Sequence, residues 1–152
     1  MRHHLLAGLV ALMVLPTPMA SAQGLQPAES SEEFNIAGEW SFEADTGEGC
    51  SFTGSVVLFG TPDANVFECE LTALQICADE TWQVRQSCTA TRQGDILEIS
   101  SEIEEFIQGY QNGGYLPDNF RLAIQSPDLM QGYLMSWGFH IAEFRRAIGA
   151  IS

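Results

Sequence analysis

From Gly38 onward the chain alternates. Trp40, Phe42 and Ala44 are separated by Glu39, Ser41 and Glu43, the pattern of a strand with one face buried and the other in water. The same period returns in further short runs: Cys50–Phe59; Phe67, Cys69 and Leu71, extending toward Cys77; Trp82, Val84 and Cys88; Ile96–Ser100; and Phe120, Leu122 and Ile124. Turn-forming stretches part them: Asp45–Gly49, Gly60–Ala64, Ala78–Glu80, Arg92–Asp95 and Ser126–Asp128. Gly94 supplies the positive φ that a tight hairpin needs. Met130–Trp137 and Phe139–Ala147 form a last hairpin around Gly138. Eight strands this short and evenly spaced predict an all-β fold, an antiparallel barrel or sandwich; of the two, an eight-stranded antiparallel up-and-down barrel over 34–152 is the expectation.

One stretch breaks the period. Ile103, Phe106, Ile107 and Tyr110 fall at helical spacing, and Ser101 with Glu104 has the spacing of a capping box. A short helix is expected near 102–110, with an extension of the preceding strand as the alternative. Gln111–Asp118 then reads as a loop rich in Gly and Tyr.

Ahead of the alternating region, Met1–His4 is basic, Leu5–Leu15 is apolar, and Ala20-Ser21-Ala22 has the small-x-small pattern of a signal peptidase site. The apolar run falls short of the ~20 residues that span a bilayer. Residues 1–22 are therefore expected to be a cleaved export signal, placing the mature protein in the periplasm or outside the cell. Residues 23–33 form a polar, acidic leader without period.

The compartment determines how the four cysteines read. In an exported domain Cys50, Cys69, Cys77 and Cys88 imply two disulfides. Residues facing each other across a hairpin share a constant index sum. A turn centred near 63 therefore sets Cys50 roughly opposite Cys77, and one near 79 sets Cys69 roughly opposite Cys88. That pairing is favoured over 50–69 with 77–88, although three connectivities are open to sequence. A zinc site is not expected, because no C-x-x-C spacing occurs and His140 is the one histidine left after cleavage.

Charge narrows the partners. The chain holds 20 acidic residues, six arginines and no lysine; cleavage removes Arg2, leaving five arginines against twenty acids, a net charge of −15. Such a surface repels phosphate backbones and anionic headgroups, so neither nucleic acid nor membrane insertion after cleavage is expected. Nor is enzymatic chemistry. His140 has no Gly-x-Ser-x-Gly partner, the carboxylate pairs Glu32-Glu33, Asp79-Glu80 and Glu104-Glu105 read as solvated faces, and neither an EF-hand nor a nucleotide fingerprint is present. No cofactor is expected.

Gly38-Glu39-Trp40 on the first strand and Arg146, in phase with Phe144 on the last, together resemble the lipocalin and wider calycin pattern. The resemblance implies that Trp40 closes the barrel floor and Arg146 packs over its indole. The chain departs from that pattern in its shorter length, in lacking a recognisable second motif, and in the expected mid-chain helix. It also resembles, more loosely, the periplasmic inhibitors of bacterial metalloproteases. These are eight-stranded barrels with Gly-x-Trp and a disulfide, and they act through an extended N-terminal segment, the part that residues 23–33 would play here. The first resemblance implies a small apolar or amphipathic ligand, for which Tyr110, Tyr115, Phe120, Leu122, Met135 and Trp137 are the candidate lining; the competing reading is that these residues simply fill the interior. The second implies a protein partner.

Overall fold

The computed structural model describes residues 34–47, 49–110 and 114–147. The expected export signal and the acidic leader lie outside the described residues, as does the start of the Gly- and Tyr-rich loop, residues 111–113. Eight strands follow in order: β1 (Gly38–Ala44), β2 (Ser51–Gly60), β3 (Val66–Ile76), β4 (Thr81–Gln93), β5 (Ile96–Gln108), β6 (Phe120–Ser126), β7 (Leu129–Met135) and β8 (Phe139–Arg146). Each pairs antiparallel with the next, and β8 returns to β1, closing an up-and-down barrel. This is the expected all-β, eight-stranded up-and-down barrel, and of the two architectures that strand spacing allows it is the barrel and not the sandwich. We call the end where β1 begins and β8 finishes the floor, and the opposite end the mouth.

The expected helix at 102–110 is absent. β5 continues as a strand through that stretch and pairs with Gln83–Ser87 of β4. The helical spacing has a local cause. The register slips between Arg85 and Gln86, so Gln86 faces Ile103 while Val84 faces Phe106. A β-bulge inserts a residue and flips the phase of the strand beyond it. Two residues three apart, Ile103 and Phe106, therefore oppose the inward residues Gln86 and Val84, and the sequence between them mimics a helical turn.

The alternation sorts the chain into an apolar inside and a largely polar outside. Phe42, Phe52, Phe120 and Phe144 meet at mid-barrel, with the ring of Phe42 5.0 Å from Phe144 and 5.2 Å from Phe120. Trp40, Ile36, Leu58, Leu71, Leu97 and Met130 are fully buried around them. Two glycines let the wall close this tightly. A Cβ on Gly54 would lie 2.2 Å from the Thr72 carbonyl oxygen and 2.3 Å from the Phe42 ring, and one on Gly132 would lie 2.1 Å from the Arg121 carbonyl oxygen. Because backbone cannot yield as a flexible side chain can, Gly54→Ala should cost between about 1 and 3 kcal/mol, the range for overpacked cores. Urea unfolding would measure it; an unchanged midpoint would mean that the wall relaxes at that point.

Arginines organise the floor. Arg146 lies opposite Trp40 across the β1–β8 pair, with its guanidinium carbon 4.5 Å from the indole centroid. It donates to the carbonyls of Asn35, Ala37 and Pro127 at 2.6, 2.8 and 2.7 Å. Arg92 donates to the Phe34 carbonyl at 2.6 Å, and Trp40 Nε1 to the Ile36 carbonyl at 3.0 Å. The segment before β1 is thus fastened by its carbonyl oxygens beneath the fully buried Trp40. Gly38 has a φ of 120°, and a Cβ there would meet Arg146 Nη1 at 3.1 Å, which explains the glycine of the Gly-x-Trp motif.

The disulfides are Cys50–Cys77 and Cys69–Cys88. Cys69 and Cys88 face each other directly between β3 and β4, inside the barrel. Cys50 and Cys77 extend the β2–β3 register by one residue beyond Ser51 and Ile76, tying the two strands at the mouth.

Candidate binding site at the barrel mouth

The two ends of the barrel differ in kind. The floor is filled and hydrogen-bonded, whereas the first inward layer at the mouth mixes aromatic rings with buried polar groups. On β4, Trp82 precedes Val84 and Gln86 in the inward phase. Tyr115, in the connection between β5 and β6, lies 6.2 Å from Trp82 and 6.1 Å from Phe106 between ring centroids. On β8, His140 is inward in phase, and Trp137 of the β7–β8 turn lies over it at 4.3 Å.

Beneath Tyr115 is a buried polar knot. Asp118 is 1% exposed. Its carboxylate accepts from Gln86 Nε2 at 2.5 Å and from the Tyr115 hydroxyl at 2.8 Å, and its backbone N–H donates to Gln86 Oε1 at 3.0 Å. Ser101 Oγ donates to the Asp118 carbonyl at 2.6 Å, and the Ser101 N–H donates to Asn119 Oδ1 at 2.8 Å. Side chains from β4, β5 and the approach to β6 thereby hold residues 115–119 across the top of the packed interior. Burial pushes the Asp118 carboxyl up to about 6, against the opposing pull of the Tyr115 and Gln86 hydrogen bonds. Burial likewise raises the Tyr115 hydroxyl, and the neighbouring carboxylate adds to the effect.

This shift has a consequence for stability. The folded state holds the Asp118 proton more tightly than the unfolded chain, whose value is near 3.8, so stability falls as pH rises from about 4 to about 6 and the full penalty is present above that window. At 1.36 kcal/mol per unit the penalty is on the order of 3 kcal/mol. Asp118→Asn keeps an acceptor for Tyr115 and Gln86 but cannot ionise. The difference in stability between this variant and the native chain should therefore grow between pH 4 and 6 in urea titrations. A constant difference would show that the carboxyl titrates normally.

Among the described residues, two buried polar atoms at the mouth, Trp82 Nε1 and His140 Nε2, have no hydrogen-bond partner. β4 and β8 stand four strands apart in a ring of eight, so these nitrogens belong to opposite walls. Buried polar atoms are rarely left unpaired, because each carries a desolvation cost of roughly 1–3 kcal/mol. Around them the rim is apolar: Ile76, Ile107, Tyr110, Leu116 and Trp137 are all exposed.

The residues proposed from sequence as ligand lining fall into three groups. Tyr115 and Trp137 belong to the mouth layer; Tyr110 stands on the exposed rim, its hydroxyl 3.4 Å from Glu80 Oε1. Phe120 and Leu122 are fully buried in the packed interior, and Met135 ends β7 in its outward phase. Trp82, Phe106, Gln86, Asp118 and His140 did not emerge from sequence as site residues. Gln86 carried a usable signal, being a polar residue between the apolar inward residues Val84 and Cys88 that must find a partner. Asp118 carried none, because its partners lie on other strands. Among the described residues no group of three His, Cys, Asp or Glu side chains could hold a metal ion.

No family model matches the chain, and no curated protein matches it in sequence. Among solved structures, a de novo designed fluorescence-activating β-barrel is similar, with a TM-score of 0.50 at 18% identity over 73% of this chain and 93% of that chain. At that identity the likeness shows the fold alone. The eight-stranded antiparallel barrel is consistent with a calycin-like barrel, and no match assigns it to the lipocalins.

Proposed function

We propose that this chain is an exported, non-enzymatic binding protein that takes a small amphipathic ligand at the barrel mouth, above the packed interior. The carrying observation is the pair of buried nitrogens, Trp82 Nε1 and His140 Nε2, that have no hydrogen-bond partner among the described residues and lie under an apolar rim. A ligand with an apolar body and one or two hydrogen-bonding groups would satisfy those atoms and cover the rim. The two disulfides support an oxidising compartment. With apolar residues inward and mostly polar ones outward, the barrel is the reverse of one that spans lipid.

Tryptophan emission during titration with fatty acids, retinoids and haem tests the reading. A saturable shift is expected with at least one ligand class, and Trp82→Phe or His140→Phe should weaken it about tenfold, the value of one lost hydrogen bond near 1.4 kcal/mol. No saturable change with any ligand, or full affinity in both variants, would overturn it.

A further inference from the structure

The outer face of β7 and β8 departs from the polar exterior around most of the barrel. Tyr133 lies directly opposite Ile141, and Phe139 shares the outward phase two residues away. These side chains are 51%, 69% and 79% exposed. Contiguous exposed apolar side chains on a folded surface mark contact sites, whereas single ones need no explanation. Hollows lie on either side of Ile141: one of about 450 Å³ that includes Glu43, Asp45 and Thr53, and one of about 390 Å³ that includes Gln131, Tyr133 and Glu143.

The neighbouring strand gives this face a charge. Glu43 of β1 stands directly opposite Glu143 of β8, and like charges so placed destabilise a sheet. Glu143 is partly compensated by Gln131 Nε2 at 2.8 Å and Arg145 at 2.6 Å; among the described residues Glu43 has no ion-pair partner. Asp45, whose N–H donates to the Ile141 carbonyl at 2.9 Å, brings a third carboxylate beside the apolar ladder.

Charge selects the occupant. A second copy would bring the same excess of acids over arginines, and an anionic lipid surface would repel it as well. At this face β1, β7 and β8 are each paired to a strand on both sides, so recognition there must use side chains. We propose that the outer face of β1, β8 and β7 docks a protein segment in which arginine or lysine alternates with apolar side chains. The cation sits against Glu43, Glu143 and Asp45, and the apolar side chains fill the hollows beside Ile141, against Tyr133 and Phe139. This surface is the outer side of the barrel wall near the mouth, whereas Trp82 and His140 face inward, so the two sites use opposite sides of the sheet.

Fluorescence polarisation with the full chain and three labelled synthetic peptides tests the proposal. One alternates arginine with leucine and phenylalanine, one replaces its arginines by glutamate, and one replaces its apolar residues by serine. Near ~0.15 M salt, where exposed long-range attraction is largely screened, only the first should bind saturably. Glu43→Gln with Glu143→Gln should weaken it about tenfold or more, as should Phe139→Ser with Ile141→Ser. Phe59→Ser, which alters an exposed apolar residue of β2, should leave affinity unchanged. Equal binding of the arginine–serine peptide would reduce the effect to net charge and overturn the proposal. So would full affinity in the Phe139/Ile141 variant, preferential binding to phosphatidylglycerol vesicles, or self-association that buries this face.

Discussion

Reducing both disulfides should lower the stability of the barrel by about 6 kcal/mol, since each closes a loop worth roughly 3 kcal/mol in the chain-entropy model. The loops span 27 and 19 residues and interleave, so the joint loss should fall somewhat below that total. It is large against the ~5–15 kcal/mol that holds an ordinary domain together. The two bonds should also differ in susceptibility. Cys50 and Cys77 lie half-buried at the mouth, outside the strands, whereas Cys69 and Cys88 sit within the inward face of β3 and β4. A mild reductant should therefore release two labelled thiols well before the other two, with a first fall in melting temperature that precedes a second. Simultaneous release would mean that the barrel opens globally before either bond is reached, and four labelled thiols with unchanged stability would remove the disulfides from the account of the fold.

Regular strands and their pairings were legible in the sequence because both follow from counting. Period two marks the strands, and the constant index sum across a hairpin carries directly into the observed β2–β3 and β3–β4 registers, including Cys69 opposite Cys88. Counting fails where the ladder is irregular. At β5 the bulge against Arg85 and Gln86 changes phase in mid-strand, and a local window cannot tell the resulting spacing from a helix. The mouth was hidden for another reason: Gln86, Ser101, Tyr115 and Asp118 contact one another only because β4, β5 and the approach to β6 are neighbours in the closed barrel, and none of these contacts leaves a mark within a short stretch of chain. Tyr115 and Trp137 could be suspected as exposed-loop aromatics. Trp82 and His140 could not, because their distinguishing property is an unpaired atom.

The floor offers the sharpest test of how the first and last strands are phased. Trp40→Ala removes a fully buried indole together with its hydrogen bond to the Ile36 carbonyl, and should cost about 3–5 kcal/mol. Arg146→Ala leaves the carbonyls of Asn35, Ala37 and Pro127 without their donor and uncovers the indole face. Those carbonyls can recover water once the side chain is gone, so the loss should be smaller, about 1–3 kcal/mol. Arg145 points outward, with its side chain 66% exposed and paired to Glu143. Exposed ion pairs contribute little, and Arg145→Ala should cost under about 0.5 kcal/mol. Melting temperatures should therefore fall in the order Arg145→Ala, Arg146→Ala, Trp40→Ala. Because neighbouring residues on a strand face opposite sides, an Arg145 change more damaging than the Arg146 change would mean that β8 is in register with β1 one residue away from Trp40 opposite Arg146. If neither arginine change lowers stability, the clamp on residues 35–37 contributes nothing, and the buried indole alone accounts for the floor.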